Sequence, residues 1–342
     1  MKPRKRIGEF EFINKITRGC LVRSDGVLKA IGDDAAAFLQ DGRQAVLVTT
    51  DLLVERVHFN RSTISGFNLG HKALAVNLSD IAAMGGTARE AFVSIAVPDG
   101  CPQDYLEALY GGIKRLAAEF DVNILGGDTT RAVSDLIINV TVVGVALANE
   151  ILYRSAAREG DIVCCTGALG DSRAGLHLLL QEVQPDCEQL TALIAAHQLP
   201  RPMLREGRFL ARQRGVHAAI DVSDGLSSDV GHIAEQSRAG IRLYRDQIPL
   251  SQDLQFFCAR FGFDPVAFAL SGGEDYCLLC TIAEDRAEEI IAAYGREFDR
   301  PLVPIGVTLP PGRMELADDD GVVTALVPTG WDHFKADGRP QD

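Results

Sequence analysis

The run from Lys72 to Gly85, KALAVNLSDIAAMG, limits the fold more than any other stretch of this chain. Ala73, Leu74, Ala75, Val76, Leu78, Ile81, Ala82, Ala83 and Met84 leave almost no polar face. A helix that is apolar nearly all round must be enclosed by protein on every side. Asn77 and Asp80, three residues apart, nevertheless share one side of it. A lone buried carboxylate is costly unless it is paired or coordinates a metal. The only basic residue in the run, Lys72, stands roughly 12 Å from Asp80 along the axis. Asp80 therefore needs a partner from elsewhere in the chain. Two readings are open: a structural acid that caps a loop or meets a distant arginine, or a metal ligand.

Enclosing such a helix takes a large core, and 342 residues predict two domains of ordinary size. A hydrophobic content of 46% with 24% charged residues matches a soluble globular protein. No apolar run has the length of a membrane span. The opening MKPRKRIGEFEF meets Glu9 and Glu11 instead of an apolar segment, so no secretory signal is expected. Eight cysteines are scattered, with Cys164 and Cys165 adjacent and Cys277 and Cys280 flanking two leucines. Both pairs are expected to be reduced residues of core strands, and a cytoplasmic location follows. With 34 basic against 47 acidic residues the net charge is −13, which disfavours nucleic acid as a partner. Phosphate substrates stay open if the acids hold metal ions.

Hydrophobic patterning predicts strands over 44–50, 91–97, 122–125, 136–146, 161–166, 216–221, 267–270, 276–282 and 302–307. Helices are expected over 8–17, 103–120, 203–213, 226–237 and 284–294 and around 176–180, with a hairpin over 314–326. The alternation indicates an α/β (α+β) chain of two mixed α/β domains. The pattern changes near 151–160, which divides the chain into an N-terminal domain, 1–150, and a C-terminal domain, 151–342.

The acids are placed suggestively. Asp34, Asp51, Asp128, Asp221, Asp224 and Asp275 are each expected at a turn beside an apolar strand, where α/β proteins place ligand sites. Carboxylates and threonine hydroxyls are hard oxygen ligands suited to Mg²⁺, whereas zinc would call for clustered cysteine and histidine. Aspartate and glycine are also ordinary turn residues, so each position alone reads as structural. It is the set, together with Asp80, that points to metal. The chain carries no G-x-x-x-x-G-K-[ST] loop, no G-x-G-x-x-G and no kinase catalytic loop. If a nucleotide binds, metal ions must do much of the phosphate holding. The glycine-rich turn from Gly167 to Gly175 is a candidate phosphate cradle. His58, near a strand end, can be a satisfied polar residue or a ligand contact. Trp331, the single tryptophan, can be packing or a platform for a cationic aromatic ligand.

Taken together, IGDDAA at Ile31, VTTDLLVERVHF at Val48, KALAVNLSDIAAMG at Lys72, LGGDTT at Leu125, IDVSDGLSSDVGHI at Ile220, LSGGEDY at Leu270 and GWDHF at Gly330 resemble the thiamine-monophosphate kinase family. Several of these strings are shared with the wider superfamily of aminoimidazole ribonucleotide synthetase and selenophosphate synthetase. The TTD-LVE-VHF, NLSDIAAMG and GWDHF strings single out the thiamine branch. The resemblance implies a two-domain fold like that of aminoimidazole ribonucleotide synthetase, a homodimer formed through the N-terminal domain, and transfer of the ATP γ-phosphoryl group to thiamine monophosphate. It further implies that Asp34, Thr49, Thr50, Asp51, Asp80, Asp128, Asp221 and Asp224 hold several Mg²⁺ ions, some through backbone carbonyls. Gly127, Arg154 and Ser223 would touch ATP, and His58, Glu274 and Trp331 the thiamine phosphate. The chain departs from the family pattern at Arg56, commonly glycine, at Gly86-Thr87-Ala88, and at Cys277, commonly glutamate. Such an acceptor is already ionised at neutral pH, so the reaction needs alignment and charge neutralisation and no general base. Two other readings remain: a superfamily relative that activates another small molecule, and a non-catalytic Mg²⁺–nucleotide or thiamine-phosphate binder.

Overall fold

The computed structural model describes residues 8–330. After helix α1 (Glu9–Ile16), the first half builds β1 (Val27–Lys29), β2 (Ala36–Leu39), β3 (Gln44–Val54), α2 (Gly66–Ala83), β4 (Thr87–Pro98), α3 (Gln103–Glu119), β5 (Asn123–Ala132) and β6 (Ile137–Leu147). Its six strands form one sheet in the order β1-β2-β3-β6-β4-β5. The second half contributes β7 (Ile162–Cys165), α4 (Asp171–Leu180), α5 (Glu188–Gln198), α6 (Leu204–Ala211), β8 (Val216–Asp221), α7 (Leu226–Ser237) and β9 (Gly240–Tyr244). It continues through α8 (Gln252–Phe261), α9 (Pro265–Ser271), β10 (Leu278–Ile282), α10 (Glu284–Phe298), β11 (Val303–Leu309), β12 (Met314–Ala317) and β13 (Val323–Ala325). These seven strands make a second sheet, β13-β12-β9-β11-β7-β10-β8. Among the described residues no helix is long and apolar enough to cross a membrane.

Helix α2 explains its own sequence. It packs on β3 and β6 of the first sheet, on α3 beside it, and on α6 and β8 of the second half. Leu69, Ala73, Leu74, Leu78, Ile81 and Met84 are fully buried in a core that also takes in Cys164, Val216 and Leu278 from the other sheet and Tyr294 from α10. The helix is apolar all round because both halves of the molecule close over it. Small residues let the neighbours approach: a Cβ on Gly70 would stand 1.8 Å from the Leu109 carbonyl of α3, and one on Gly207 of α6 would stand 2.0 Å from that of Ala82.

Several expectations are corrected. Asp51 lies within β3, which runs on to Val54 against β6, and not at the strand's end. Asp128 is likewise inside a strand, because β5 pairs in parallel with β4 from Asn123 to Ala132. Gly127 is needed there for close backbone approach, not for a turn: its Cβ would fall 1.7 Å from the Val93 carbonyl. The segment 267–270 is helix α9 instead of strand. Asp264 caps it by accepting from the Val266 amide at 3.0 Å, and Pro265 opens the first turn. The patterning passed over α5, β9 and α8 altogether.

Candidate active site

A cavity of about 1560 Å³ opens between the two halves. One end is acidic, with Asp34, Asp51 and Asp80 against Arg154 and Asp224; the other carries His58, Glu274 and an apolar wall that includes Leu176, Leu179 and Leu270.

The acidic end is assembled from four elements. The loop before β2 supplies Asp34, β3 supplies Thr49 and Asp51, α2 supplies Asp80, and the C-terminal end of β8 supplies Asp221. Carboxylate oxygens of Asp34, Asp80 and Asp221 lie within 4.8 Å of one another. Asp80 accepts from the Thr49 hydroxyl. Asp221 accepts from the Ser79 hydroxyl at 2.5 Å. Asn77, fully buried, fixes α2 to β3 by accepting from the Asp51 amide at 3.1 Å. The distant arginine that Asp80 could have met goes elsewhere: Arg154 pairs with Asp34, with one contact at 3.2 Å, and its backbone amide donates to Asp33. Lys29 takes the other Asp33 oxygen at 2.8 Å.

Crowding shows in the titration of these acids. Burial, then Asp51, Asp221 and Asp34, push Asp80 well above the usual carboxylate range, with only the Thr49 hydroxyl acting the other way. Burial and Asp34 push Asp221 up to about 8, against the Ser79 hydroxyl and Arg154. Burial and Asp34 also raise Asp51 to about 6. Asp34 Oδ2 and Asp221 Oδ1 are buried with no hydrogen-bond partner. Buried carboxylates that repel one another and leave oxygens unpaired are the arrangement a divalent cation relieves. The residues present therefore fit Mg²⁺. A second group, Asp224, Asp229 and His232, also lies within 4.8 Å, but Asp229 is occupied by the amides of Asp224 and Gly225 at 3.3 and 3.0 Å.

The loop Gly272–Tyr276 closes the other end. It lies directly on the turn after β8: the Glu274 amide donates to Ser223 O at 2.8 Å and the Tyr276 amide to Val222 O at 2.9 Å. Glu274 and Tyr276 both take left-handed backbone, φ 64° and 51°. Between them Asp275 turns inward and accepts from the Gly170 amide at 2.7 Å and the Ser172 amide at 3.3 Å. Those are the donors a phosphate would have used at the start of α4, so Asp275 makes the turn from Gly167 to Gly175 a structural cap in place of the candidate cradle.

Glu274 meets an unexpected cation. Lys72, 1% exposed, donates to its Oε2 at 2.9 Å. The Lys72 ammonium also stands 3.4 Å from Nε2 of His197, whose Nδ1 is 3.2 Å from the same Glu274 oxygen and 3.0 Å from the Ser172 hydroxyl. An ammonium only donates, so Nε2 accepts, and Nδ1 carries the proton and donates it to the Ser172 hydroxyl, with Glu274 Oε2 close by. Burial and Lys72 lower the His197 pKa to about 4, which keeps the ring neutral. Burial works against ionised Glu274, but the Lys72 ammonium, by its charge and its hydrogen bond, prevails and holds it below its usual range.

Of the residues singled out in the sequence, Asp34, Thr49, Thr50, Asp51, Asp80, Arg154, Ser223, Asp224, His58 and Glu274 line the cavity, and Asp221 joins its acidic cluster. Gly127 and Asp128 do not. They are exposed on edge strand β5, three strands from β3 and so roughly 14 Å across the sheet. Trp331 lies outside the described residues; Gly330, before it, lines the cavity and is held by the Ser228 hydroxyl at 3.0 Å. Arg56 turns to Asp135 in a two-pronged pair at 2.7 Å, and its φ of 66° suits the glycine common at this position. Cys277 is buried with its sulfur 3.5 Å from that of Cys165. Asp33, Lys72, Ser172 and His197 were not singled out as site residues. The signals for them were a lysine at the head of a largely apolar run and the paired acids of IGDDAA.

Comparison with known proteins agrees with this geometry. The family description AIR synthase related protein, N-terminal domain, matches residues 32–146, and its C-terminal counterpart matches 158–319. Thiamine-monophosphate kinase of Aquifex aeolicus is 34% identical over 330 residues, covering 96% of this chain and 99% of the relative. That of Bacillus subtilis gives the same identity and coverage. The solved structure of AaThiL complexed with AMPPCP and TMP superposes with a TM-score of 0.84 at 33% identity, over 96% of this chain and 97% of that one.

Proposed function

This chain belongs to the thiamine-monophosphate kinase family of AIR-synthase-related proteins, and we infer that it transfers the γ-phosphoryl group of ATP to thiamine monophosphate, yielding thiamine diphosphate. The observation that carries the reading is the cavity itself, with a carboxylate cluster at one end and an ionised glutamate beside an apolar wall at the other. The acidic end suits nucleotide phosphates with their cations; the other suits a cationic heteroaromatic.

We propose that Asp34, Asp51, Asp80, Asp221 and Asp224, with Thr49 and Thr50, hold Mg²⁺, which when bound neutralises the facing phosphates and keeps donor and acceptor in line. The unpaired oxygens of Asp34 and Asp221 support this reading. Arg154 and Ser223, beside the cluster, are assigned to the nucleotide. Glu274 and His58 are assigned to thiamine monophosphate, and Trp331 joins them on the family resemblance. His58 Nδ1 accepts from the Val54 amide at 3.0 Å, which fixes the ring as a positioned contact. No proton has to be removed from an acceptor phosphate already ionised at neutral pH, so transfer is direct and in line.

A homodimer formed through the first sheet is supported by apolar side chains exposed there: Leu52 at 52%, Phe92 at 39% and Leu125 at 60%. Gly127 and Asp128 stand on the same sheet's edge, so a second copy is the body whose cavity they can complete. We place the protein in the cytoplasm, supported by its eight unpaired cysteines.

The test is an assay with ATP, Mg²⁺ and thiamine monophosphate, with thiamine diphosphate resolved by chromatography. Product formation that stops with chelator and returns with Mg²⁺ is expected. ATP consumption with no thiamine diphosphate formed would overturn the assignment.

A further inference from the structure

We propose that Lys72 is a positioning residue for the thiamine end of the cavity, acting through Glu274; this rests on the function proposed above. The side chain is nearly sealed from solvent, 1% exposed, on a helix whose other buried positions are almost all apolar. A buried ammonium is costly, and a leucine or methionine at this position would fill the space without that cost. The charge sits where α2 of the first half meets the Gly272–Tyr276 loop of the second. The contact holds a side chain whose backbone sits in a left-handed conformation, φ 64°, that non-glycine residues rarely adopt.

The neighbouring groups make the arrangement directional. His197 of α5 is fixed by Lys72 on one ring nitrogen and by the Ser172 hydroxyl of α4 on the other, which also stands 3.2 Å from Glu274 Oε2. Lys72 thus fixes the carboxylate directly at 2.9 Å, while the neutral imidazole packs 3.2 Å from the same oxygen. Glu274 is kept ionised and aimed while 26% of its side chain remains exposed toward the cavity. The same helix carries Asp80 two turns further on, so α2 spans from the group that orients the acceptor to a carboxylate of the metal cluster. Their separation of roughly 12 Å along the axis is set by one rigid element. On this account Lys72 touches neither substrate; it sets where the cationic ring of the acceptor is met relative to the metal cluster.

The experiment is a double-mutant cycle on the full chain, with Lys72→Met, Glu274→Gln and the two combined, plus Lys72→Arg. KM for thiamine monophosphate, KM for ATP, kcat and melting temperature are read for each. Lys72→Met is expected to raise KM for thiamine monophosphate roughly tenfold, the order for loss of a charge-assisted contact, with KM for ATP unchanged. Lys72→Arg should recover most of that loss. The combined variant should match Glu274→Gln alone, because Lys72 acts only through that carboxylate. It also removes both charges together, which a buried pair tolerates better than loss of one, so the comparison stands even if Lys72→Met folds poorly. Losses that multiply in the combined variant would overturn the proposal. So would a Lys72→Met protein that melts earlier with an unchanged KM for thiamine monophosphate, which would make the pair a staple between the halves. A wild-type protein inactive on thiamine monophosphate would refute the assigned function instead.

Discussion

Replacing Asp80 with asparagine separates the two roles a buried acid can have. Asp80 faces Asp34 and Asp221 with oxygens within 4.8 Å, and no described basic side chain pairs with it. At an effective dielectric constant of about 20, two carboxylates at that distance repel by about 3.5 kcal/mol. Protonation and water relieve most of this. A net gain of about 1–3 kcal/mol in the metal-free protein is therefore expected for Asp80→Asn near pH 8. At about 2.1 cal/mol/K per residue, the 342-residue chain has an unfolding entropy of roughly 0.7 kcal/mol/K, so melting should rise by roughly 1–4 °C in chelator. Mg²⁺ should then stabilise the variant less than the wild type. Turnover should fall at least about 100-fold, since each ~1.4 kcal/mol of lost transition-state stabilisation is tenfold in rate. Scanning calorimetry with and without Mg²⁺, alongside the coupled assay on the same preparations, reads all of these. A variant that melts earlier in chelator yet keeps near-normal turnover per folded molecule would refute the reasoning and make Asp80 a structural acid.

Other outcomes follow from the same geometry. In chelator, the raised Asp221 and Asp51, at about 8 and about 6 against an ordinary 3.8, bind protons in the folded chain that the unfolded chain has released. Their contribution is full below about pH 4 and is lost as pH climbs toward 8, at about 1.4 kcal/mol per pH unit for each excess proton. Metal-free melting should fall between pH 6 and pH 8, and saturating Mg²⁺ should flatten that slope; an Mg²⁺-insensitive slope would contradict it. Direct transfer predicts inversion at a chiral γ-phosphorus and no labelled phosphoenzyme; retention of configuration would contradict it. Gly70→Ala sets a methyl 1.8 Å from the Leu109 carbonyl and should cost about 1–3 kcal/mol, seen as an earlier urea midpoint. An unchanged midpoint would show that α2 and α3 can separate freely.

Periodicity located α3, α7 and most central strands because each buries one repeating face, and α2 was legible from having almost no polar face. Turn chemistry misled at Asp128, where Gly126-Gly127 reads as a break but serves close strand pairing. It misled again at 267–270, where the Asp264-Pro265 helix start outweighs a short apolar run. The acidic cluster was visible as a set of aspartates, yet its closest members, Asp34, Asp80 and Asp221, come from three separate regions that only the fold unites. Lys72 could be seen but not placed: its partner is 202 positions away, and spacing says nothing about a contact made across the closing of two halves. Asp275 was grouped with the ligand-site acids although its work is to cap α4, a distinction that depends on which way a side chain turns.

The central claim is that the carboxylate cluster is where cations and nucleotide phosphates meet. Crystals grown with Mn²⁺ in place of Mg²⁺ and a non-hydrolysable ATP analogue would test it by anomalous diffraction. Anomalous peaks are expected at carboxylate oxygens of Asp34, Asp80 and Asp221, at coordination distances of about 2.0–2.3 Å, with phosphate oxygens of the analogue completing the shells. Nucleotide bound with its Mn²⁺ elsewhere, and no peak at those three carboxylates, would contradict the account.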